Sequence, residues 1–554
     1  MVDDGFIYLR IVRQFRAGNG PVFNAGQRVE AFTSPLWFAV LALADFATPL
    51  RLEWIAVLLG IGSTLAGFGF AMFGAAALWS STAPDHLPVP FGALPLVALF
   101  PMWCFASGGL ETGLAFGWLG GCCWILGRWA SDPTRSMCVP AAVVLGLGWL
   151  VRPEFVLFSA AFLAVVLVGD RSAPHARRWR VVAAAIGLPV VFRMGYYGSL
   201  VANTAIAKEG FSLHWERGWR YLSDFGHAYG LWFPVLVVVA GGYLPLCLVA
   251  RRVRNSRPLM VAGAFVGVSV LLAVWVVAVG GDYIHARLFL PPLFGLCAPV
   301  MAVPATRRLV GVMLLVPYAF FATVYLRPKE LSGRVHNLVL GGEPFGRITT
   351  NDLGYGPGGP LRRWYSGPGY YVEDHPVTET FIRRRLVLDR RVHVPIGTAL
   401  SIGLNSYAMG TDFEVVDMLG LADPIAAHLQ PVPSLISRPP GHEKRMPNAW
   451  IAARLAAPGT NPAYADFPAD FFFSVSPSPT QFQTQIAWAR AASRCPAVKR
   501  LVASAEAPMS IGRFFDNLWE SVPNTTVRIP SDPRTAYRQL CGSGVPTEVR
   551  SLRP

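Results

Sequence analysis

The chain has 554 residues, 53% hydrophobic and 15% charged, with a mean hydropathy of +0.41. A soluble globular protein carries roughly 25% charged residues, so the composition excludes an ordinary water-soluble fold for the whole chain. The formal net charge of +15 sits largely in short arginine clusters between apolar runs. No nucleic-acid-reading module accompanies it, so the charge reads as topology-setting and argues against nucleic acid as a partner.

Residues 1–53 read as a first outer loop with interfacial helices. In 6–17, Arg10, Arg13 and Arg16 share one helical face, with Ile7, Ile11 and Phe15 opposite, the pattern of a helix lying in a membrane interface. The segment SPLWFAVLALADF, ended by the turn residues of FATPL, reads as a second interfacial or re-entrant helix.

A spanning helix needs about 20 apolar residues. Runs near 54–79, 91–107, 112–129, 139–151, 154–169, 180–197, 229–250, 259–279, 287–304 and 308–326 predict a transmembrane core of about ten helices over 54–326. Arg128 and Arg135, then Arg171, Arg177, Arg178 and Arg180, then Arg251, Arg252 and Arg254, then Arg307 and Arg308 occupy every second loop. Those loops are cytoplasmic by the positive-inside rule, and the intervening loops and the tail are extracytoplasmic. By the same count residues 1–53 lie outside with no span before them, which predicts a spanning helix upstream of Met1.

From about 327 to 554, Gly, Pro and polar residues recur and apolar runs shorten. RVHVPIGTALSIGL and DFEVVDMLGL read as strands leading into turns or helices, and QPVPSLISRPPGHEK as a loop. The tail is expected to be a mixed α/β soluble cap domain. No internal repeat is evident. Cys104, Cys122, Cys123, Cys138, Cys247 and Cys297 lie in or beside apolar runs as packing residues, and the spacings match no zinc site. If the tail lies outside the cytoplasm, that compartment permits a disulfide between Cys495 and Cys541.

Ionisable residues near a bilayer are costly and mark function where they recur. The predicted outer face carries Asp3 and Asp4, Glu111 in SGGLETG, Arg152 and Glu154 in VRPEF, Asn203 and Lys208 in YYGSLVANTAIAKEG, and Asp282, His285 and Arg287 in GGDYIHARLFLP. Each has a plain alternative. The aspartates are suited to cap a helix, Arg152 and Glu154 to pair, Lys208 to snorkel, and His285 to be a satisfied loop histidine. Their convergence on one side favours sugar transfer from a polyprenyl-phosphate carrier. A carboxylate accepts the hydroxyl proton and stabilises an oxocarbenium-like carbon, while cations neutralise the departing phosphate.

At these residues the sequence resembles the GT-C membrane glycosyltransferases, and within them the terminal β-(1→2)-arabinofuranosyltransferase family. DDGFIYLRIVRQFRAGNGPVFNAGQRVEAFTSPLW carries the likeness most strongly; GGLETG, VRPEF, the YYG and AK loop, GGDYIHARLFLP and VVDMLGLADPIAAH extend it over most of the chain. The resemblance implies a GT-C-like transmembrane core with a periplasmic cap domain. It implies a decaprenyl-phosphoryl-arabinose donor and an arabinan acceptor of arabinogalactan or lipoarabinomannan. No cofactor is expected, and no residue is singled out as a metal ligand. Asp3 and Asp4 take the catalytic position, their roles open between them. Glu111 is implied either as an acid that supports the site from behind or as a sugar-binding acid, with Arg152, Lys208, His285 and Arg287 as phosphate contacts; Arg28, Glu30, Glu154, Asn203 and Asp282 are further substrate-binding candidates. Ala202 stands where related sequences often have Pro. A transferase of another sugar, such as mannose, and a lipid or glycan transporter are the competing readings; the charges of a transporter belong at midspan.

Overall fold

The computed structural model describes residues 1–80, 87–170, 176–209, 212–250, 256–282, 284–305, 309–324, 326, 335–340, 343–349, 396–399, 402–431, 443–457, 460, 462–464, 467 and 477–552. Arg171, Arg251, Arg252, Arg254, Arg307 and Arg308 of the predicted cytoplasmic loops, and most of the Pro-rich stretch, lie outside them. The described chain is mostly helical.

Helix α1 (Asp3–Arg16) is followed by α2 (Pro35–Ala47), which starts where Ser34 accepts from the Trp37 N–H and Pro35 occupies the first turn. Arg16 pairs with Asp45 at 3.0 Å and joins the two. The arginine row of α1 does not face water as a unit, for Arg10 is 1% exposed and lies between the helical core and the C-terminal domain.

Among the described residues, three helices are long and apolar enough to cross a membrane: α3 (Leu52–Ser80), the 179–197 part of a longer helix, and Arg257–Ala278. A fourth span is available if Trp215–Ala228 and Trp232–Leu248, bent by 81°, count together. Other predicted runs are divided. The 91–107 run forms Ala93–Ala98 and Phe100–Ala106, with Leu99 extended between them and Pro101 unable to donate in the second piece. The 139–151 run forms Val139–Gly146 and Gly148–Val151. Near 302–304 the chain leaves helix altogether and pairs antiparallel with Pro88–Pro90.

The core is organised by a seam between α3 and α4 (Thr112–Ala130). Gly60, Gly67 and Gly74 face Gly113, Gly120 and Gly127, each spaced seven residues, or two helical turns. A methyl group on Gly120 would come 2.1 Å from the Gly67 carbonyl oxygen, and one on Gly113 or Gly127 would come 2.3 Å from its partner's. Small residues let two backbones approach this closely, and dispersion and Cα–H···O contacts then hold them. Because the pairing order rises together, the helices run parallel.

After α4, in chain order, come α5 (Ala176–Tyr197), α6 (Trp215–Ala228), α7 (Arg257–Ala278), α8 (Ile402–Met409) and α9 (Ile511–Thr526). Arg257 at the start of α7 is 6% exposed and donates to the carbonyls of Trp129, Asp132, Arg135 and Gly169, gathering several chain ends at one guanidinium.

In the C-terminal part, β1 (Ile396–Ala399) and β2 (Glu414–Asp417) pair in parallel, with α8 as the crossover. The expected mixed α/β character is therefore confined, among the described residues, to this unit and the hairpin of Val335–Leu340 with Glu343–Thr349. Beyond β2 the domain is dominated by helices around a separate core that includes Trp450, Ile451, Phe482, Ile486, Val498 and Ile529. Cys495 and Cys541 form a disulfide.

The seam generates a test. Gly120→Ala is expected to destabilise the protein by about 1–3 kcal/mol through overpacking. Gly121→Ala, where a methyl meets nothing within 4 Å, should stabilise slightly because Ala is the better helix former. Thermal unfolding of the two variants in detergent measures the contrast; equal midpoints would contradict the seam.

Candidate active site

Consecutive helical residues point about 100° apart, so the adjacent acids at the start of α1 cannot share one environment. Asp3 turns to the C-terminal domain and accepts from the N–H groups of Gly403 at 3.1 Å and Leu404 at 2.9 Å. It thereby caps α8 from another part of the chain and complements the positive end of that helix. Seven residues later on the same face, Arg10 donates to the carbonyls of Ser406 and Gly410, both at 2.5 Å, and of Phe413 at 2.7 Å. Acid and base thus grip opposite ends of α8. The helices touch so closely that a methyl on Gly403 would lie 1.8 Å from the Asp3 carbonyl oxygen. Asn24 extends the grip to β2, exchanging two hydrogen bonds with the Val415 backbone at 2.9 and 3.0 Å.

Asp4 turns the other way, into a charge network assembled from separate loops. Its Oδ2 lies 3.0 Å from Arg287 Nη1 and 3.9 Å from Lys208 Nζ. Arg287 also reaches Asp282 at 3.4 Å and Glu111 at 4.0 Å. Glu111, at the start of α4, is fully buried and bonded to Arg152 at 2.7 Å, which in turn holds Glu154 at 2.5 Å. Tyr8 donates to the second Glu111 oxygen at 3.2 Å and accepts from the Ser34 N–H at 3.0 Å. Charges this deep persist only when paired and hydrogen-bonded. Between Asp282 and Arg287 the backbone turns sharply, with Ala286 at φ +65°, a conformation that a residue bearing a Cβ adopts at a cost.

Of the residues singled out in the sequence, Asp4, Glu111, Arg152, Glu154, Lys208, Asp282 and Arg287 therefore come together. Arg28, Glu30 and Asn203 do not. Arg28 donates to Ser504 and Ala507 carbonyls, and Asn203 to those of Gly420 and Leu421, so both fasten the C-terminal domain. Glu30 forms a two-bond pair with Arg193 at 2.6 and 2.9 Å. These three lie apart from the network and line a separate pocket with Tyr197 and Pro424. His285 is 2% exposed and packs on Phe225 and Tyr229. Burial lowers its pKa to about 3, so it is neutral and offers a phosphate no positive charge. Sequence reasoning missed Tyr8, Arg10 and Asn24; the signals were Tyr8 one turn after Asp4 and Arg10 two turns after Asp3.

Asp4 keeps 14% of its side chain exposed and Lys208 31%, whereas Glu111 keeps none. The network therefore presents an accessible carboxylate and an accessible ammonium side by side, backed by fixed guanidinium groups. Such a pairing accepts a proton from a hydroxyl or stabilises positive charge on carbon, and receives an anionic leaving group beside it.

Residues 380–539 match the family model described as the AftB family C-terminal domain. Over 99% of its length the chain is 32% identical to a terminal β-(1→2)-arabinofuranosyltransferase of Mycobacterium tuberculosis, 94% of which is covered. It is 29% identical to one of Corynebacterium glutamicum, again over 99% of this chain and 85% of the relative. No solved structure matches the chain.

Two outcomes test the geometry. Glu111→Gln removes the charge facing Arg152 and should cost about 3 kcal/mol, as breaking buried pairs does; denaturation that leaves the midpoint unchanged would contradict the network. Burial raises the Asp3 pKa from 3.8 to about 6, against its two backbone bonds. A raised acid binds its proton more tightly when folded, so this contribution to stability is full below about pH 4 and is lost as pH rises through 6. Wild-type protein should therefore lose stability relative to Asp3→Asn across that window; a difference independent of pH would contradict the burial of Asp3.

Proposed function

The chain belongs to the terminal β-(1→2)-arabinofuranosyltransferase family, and from that premise we propose that Asp4 is the carboxylate at which an arabinofuranosyl group leaves a lipid phosphate for a sugar hydroxyl. As a family member the chain is a glycosyltransferase, and its apolar helices fit a membrane protein. The donor in this reading is decaprenyl-phosphoryl-arabinose, and the acceptor is an arabinan end of arabinogalactan or lipoarabinomannan.

The observation that carries the proposal is the placement of Asp4 between Arg287 and Lys208 with part of its carboxylate open. In the transition state an acceptor hydroxyl gives its proton to Asp4, or the carboxylate faces the positive anomeric carbon. The phosphate that departs gathers charge next to Lys208, whose ammonium is the more exposed cation. Arg287 and Arg152 are held by carboxylates and set the geometry. Asp3, occupied by α8, positions its neighbour through the helix they share.

In this reading the outer segment 1–53, a transmembrane core over 54–326 and the domain from 327 make a multi-pass plasma-membrane protein whose site and cap lie on the periplasmic side. Two features support that side: the Cys495–Cys541 disulfide, which persists in oxidising compartments, and the arginine clusters that recur in every second loop of the apolar core.

With purified protein and a synthetic arabinosyl-phosphoryl-prenyl donor, Asp4→Asn should lower the rate at least a hundredfold while the fold persists. Lys208→Ala should raise the donor KM more than it lowers kcat. A mannosyl donor should give no product. Near-wild-type turnover by Asp4→Asn would reject the assignment.

A further inference from the structure

Helix α9 of the C-terminal domain turns a row of large apolar side chains outward. Ile511 is 81% exposed, Phe515 55%, Trp519 80% and Val522 51%. At 3.6 residues per turn the four fall within an arc of about 80°. The opposite face buries Asn517, Ser521 and Asn524. Single exposed apolar residues are ordinary, but a row of four on one helix calls for an occupant.

The surroundings of the row identify that occupant. The helix packs on the end of α5, whose 179–197 stretch is long and apolar enough to cross a bilayer. Phe514 covers Gly195, where a methyl would come 2.3 Å from its ring. Asn517 donates to the Gly195 carbonyl and Asn524 to that of Gly198, both at 3.1 Å. Just before this contact α5 exposes Leu188, Val191 and Phe192, at 68%, 43% and 48%. The apolar surface of a spanning helix thus adjoins the row on α9 at the Phe514–Gly195 contact. Past the same end of α5 the chain enters α6, which exposes Trp215 and Trp219 one turn apart before the 81° bend into the next apolar helix. Exposed tryptophans gather at the headgroup level of a bilayer.

We propose that α9 is a membrane-interface helix, its Ile511, Phe515, Trp519 and Val522 row seated in the leaflet that α5 borders, so that the C-terminal domain rests on lipid as well as on the helical core. The polar flank carries Arg513, Asp516 and Glu520, one base against two acids. Attachment therefore draws on buried apolar area and not on attraction to anionic headgroups. The inference concerns where the domain sits and is independent of the sugar transferred.

Full-length protein carrying Phe515→Cys, Trp519→Cys or Asp516→Cys is spin-labelled and reconstituted in phosphatidylcholine vesicles, with and without phosphatidylglycerol. The signal of the labelled parent chain is subtracted. Collision with oxygen, which partitions into lipid, is compared with collision with a water-soluble nickel chelate. Labels at 515 and 519 are expected to favour oxygen, and the label at 516 nickel, alike in both vesicle types. Because the replaced aromatics face outward, their loss removes few internal contacts, and an unchanged thermal midpoint confirms the fold. Nickel access at 519 equal to that at 516 would overturn the proposal in favour of a water-exposed row. Shielding of 515 and 519 from both reagents would overturn it in favour of a protein occupant.

Discussion

The first turn of α1 is where the docking of the C-terminal domain meets the charge network of the helical core. Asp3 is committed to the backbone of α8 and Asp4 to Arg287 and Lys208. One rigid peptide unit therefore links the docking of the C-terminal domain to the position of the open carboxylate. Arg10, two turns on, makes the link stiff, because α8 is gripped at both ends and cannot slide along α1. A shift of about 1 Å at a reacting group costs rate steeply, so under the role proposed for Asp4 the docking of this domain bears on rate without contact with substrate.

The energetics obey two different rules on the two sides of α1. Toward the C-terminal domain the partners are mostly backbone groups: helix N–H groups for Asp3, carbonyls for Arg10, Arg28 and Asn203. Those bonds satisfy helix and loop ends that would otherwise be buried unpaired, and leaving a buried group unpaired is expensive. Toward the core the partners are charges, linked from Glu154 through Arg152 and Glu111 to Arg287 and Asp4. A buried ionic chain adds little net stability relative to apolar packing, and its value lies in fixed geometry. Beneath it the glycine seam of α3 and α4 supplies close packing, and Glu111 stands directly at the start of α4.

Much of this was legible in the residues. Composition marked the membrane character, and the recurrence of acids and bases in distant loops marked residues of which several meet in one charge network. Asp3 and Asp4 could not be told apart, since their difference is a matter of about 100° of helical rotation against partners far away in the chain. Arg28 and Asn203 sit in the same motifs as the network residues but fasten the C-terminal domain, and Glu30 is paired with Arg193 of α5. Motif membership does not separate the two uses; only the partner does. The heptad glycines were visible as letters, yet a repeat of one small residue becomes meaningful only when a second helix presents the same period opposite. The divided apolar runs near 91–107 and 139–151 show that hydropathy does not report continuity of helix.

The central claim is that the reacting sugar lies over Asp4 with its phosphate at Lys208. A structure of the protein in lipid nanodiscs with a non-hydrolysable phosphonate analogue of the donor tests this most directly. The phosphonate is expected within hydrogen-bonding reach of the Lys208 ammonium and the furanose ring against the Asp4 carboxylate. An analogue bound elsewhere, with no phosphonate at Lys208 and no sugar beside Asp4, would contradict that placement.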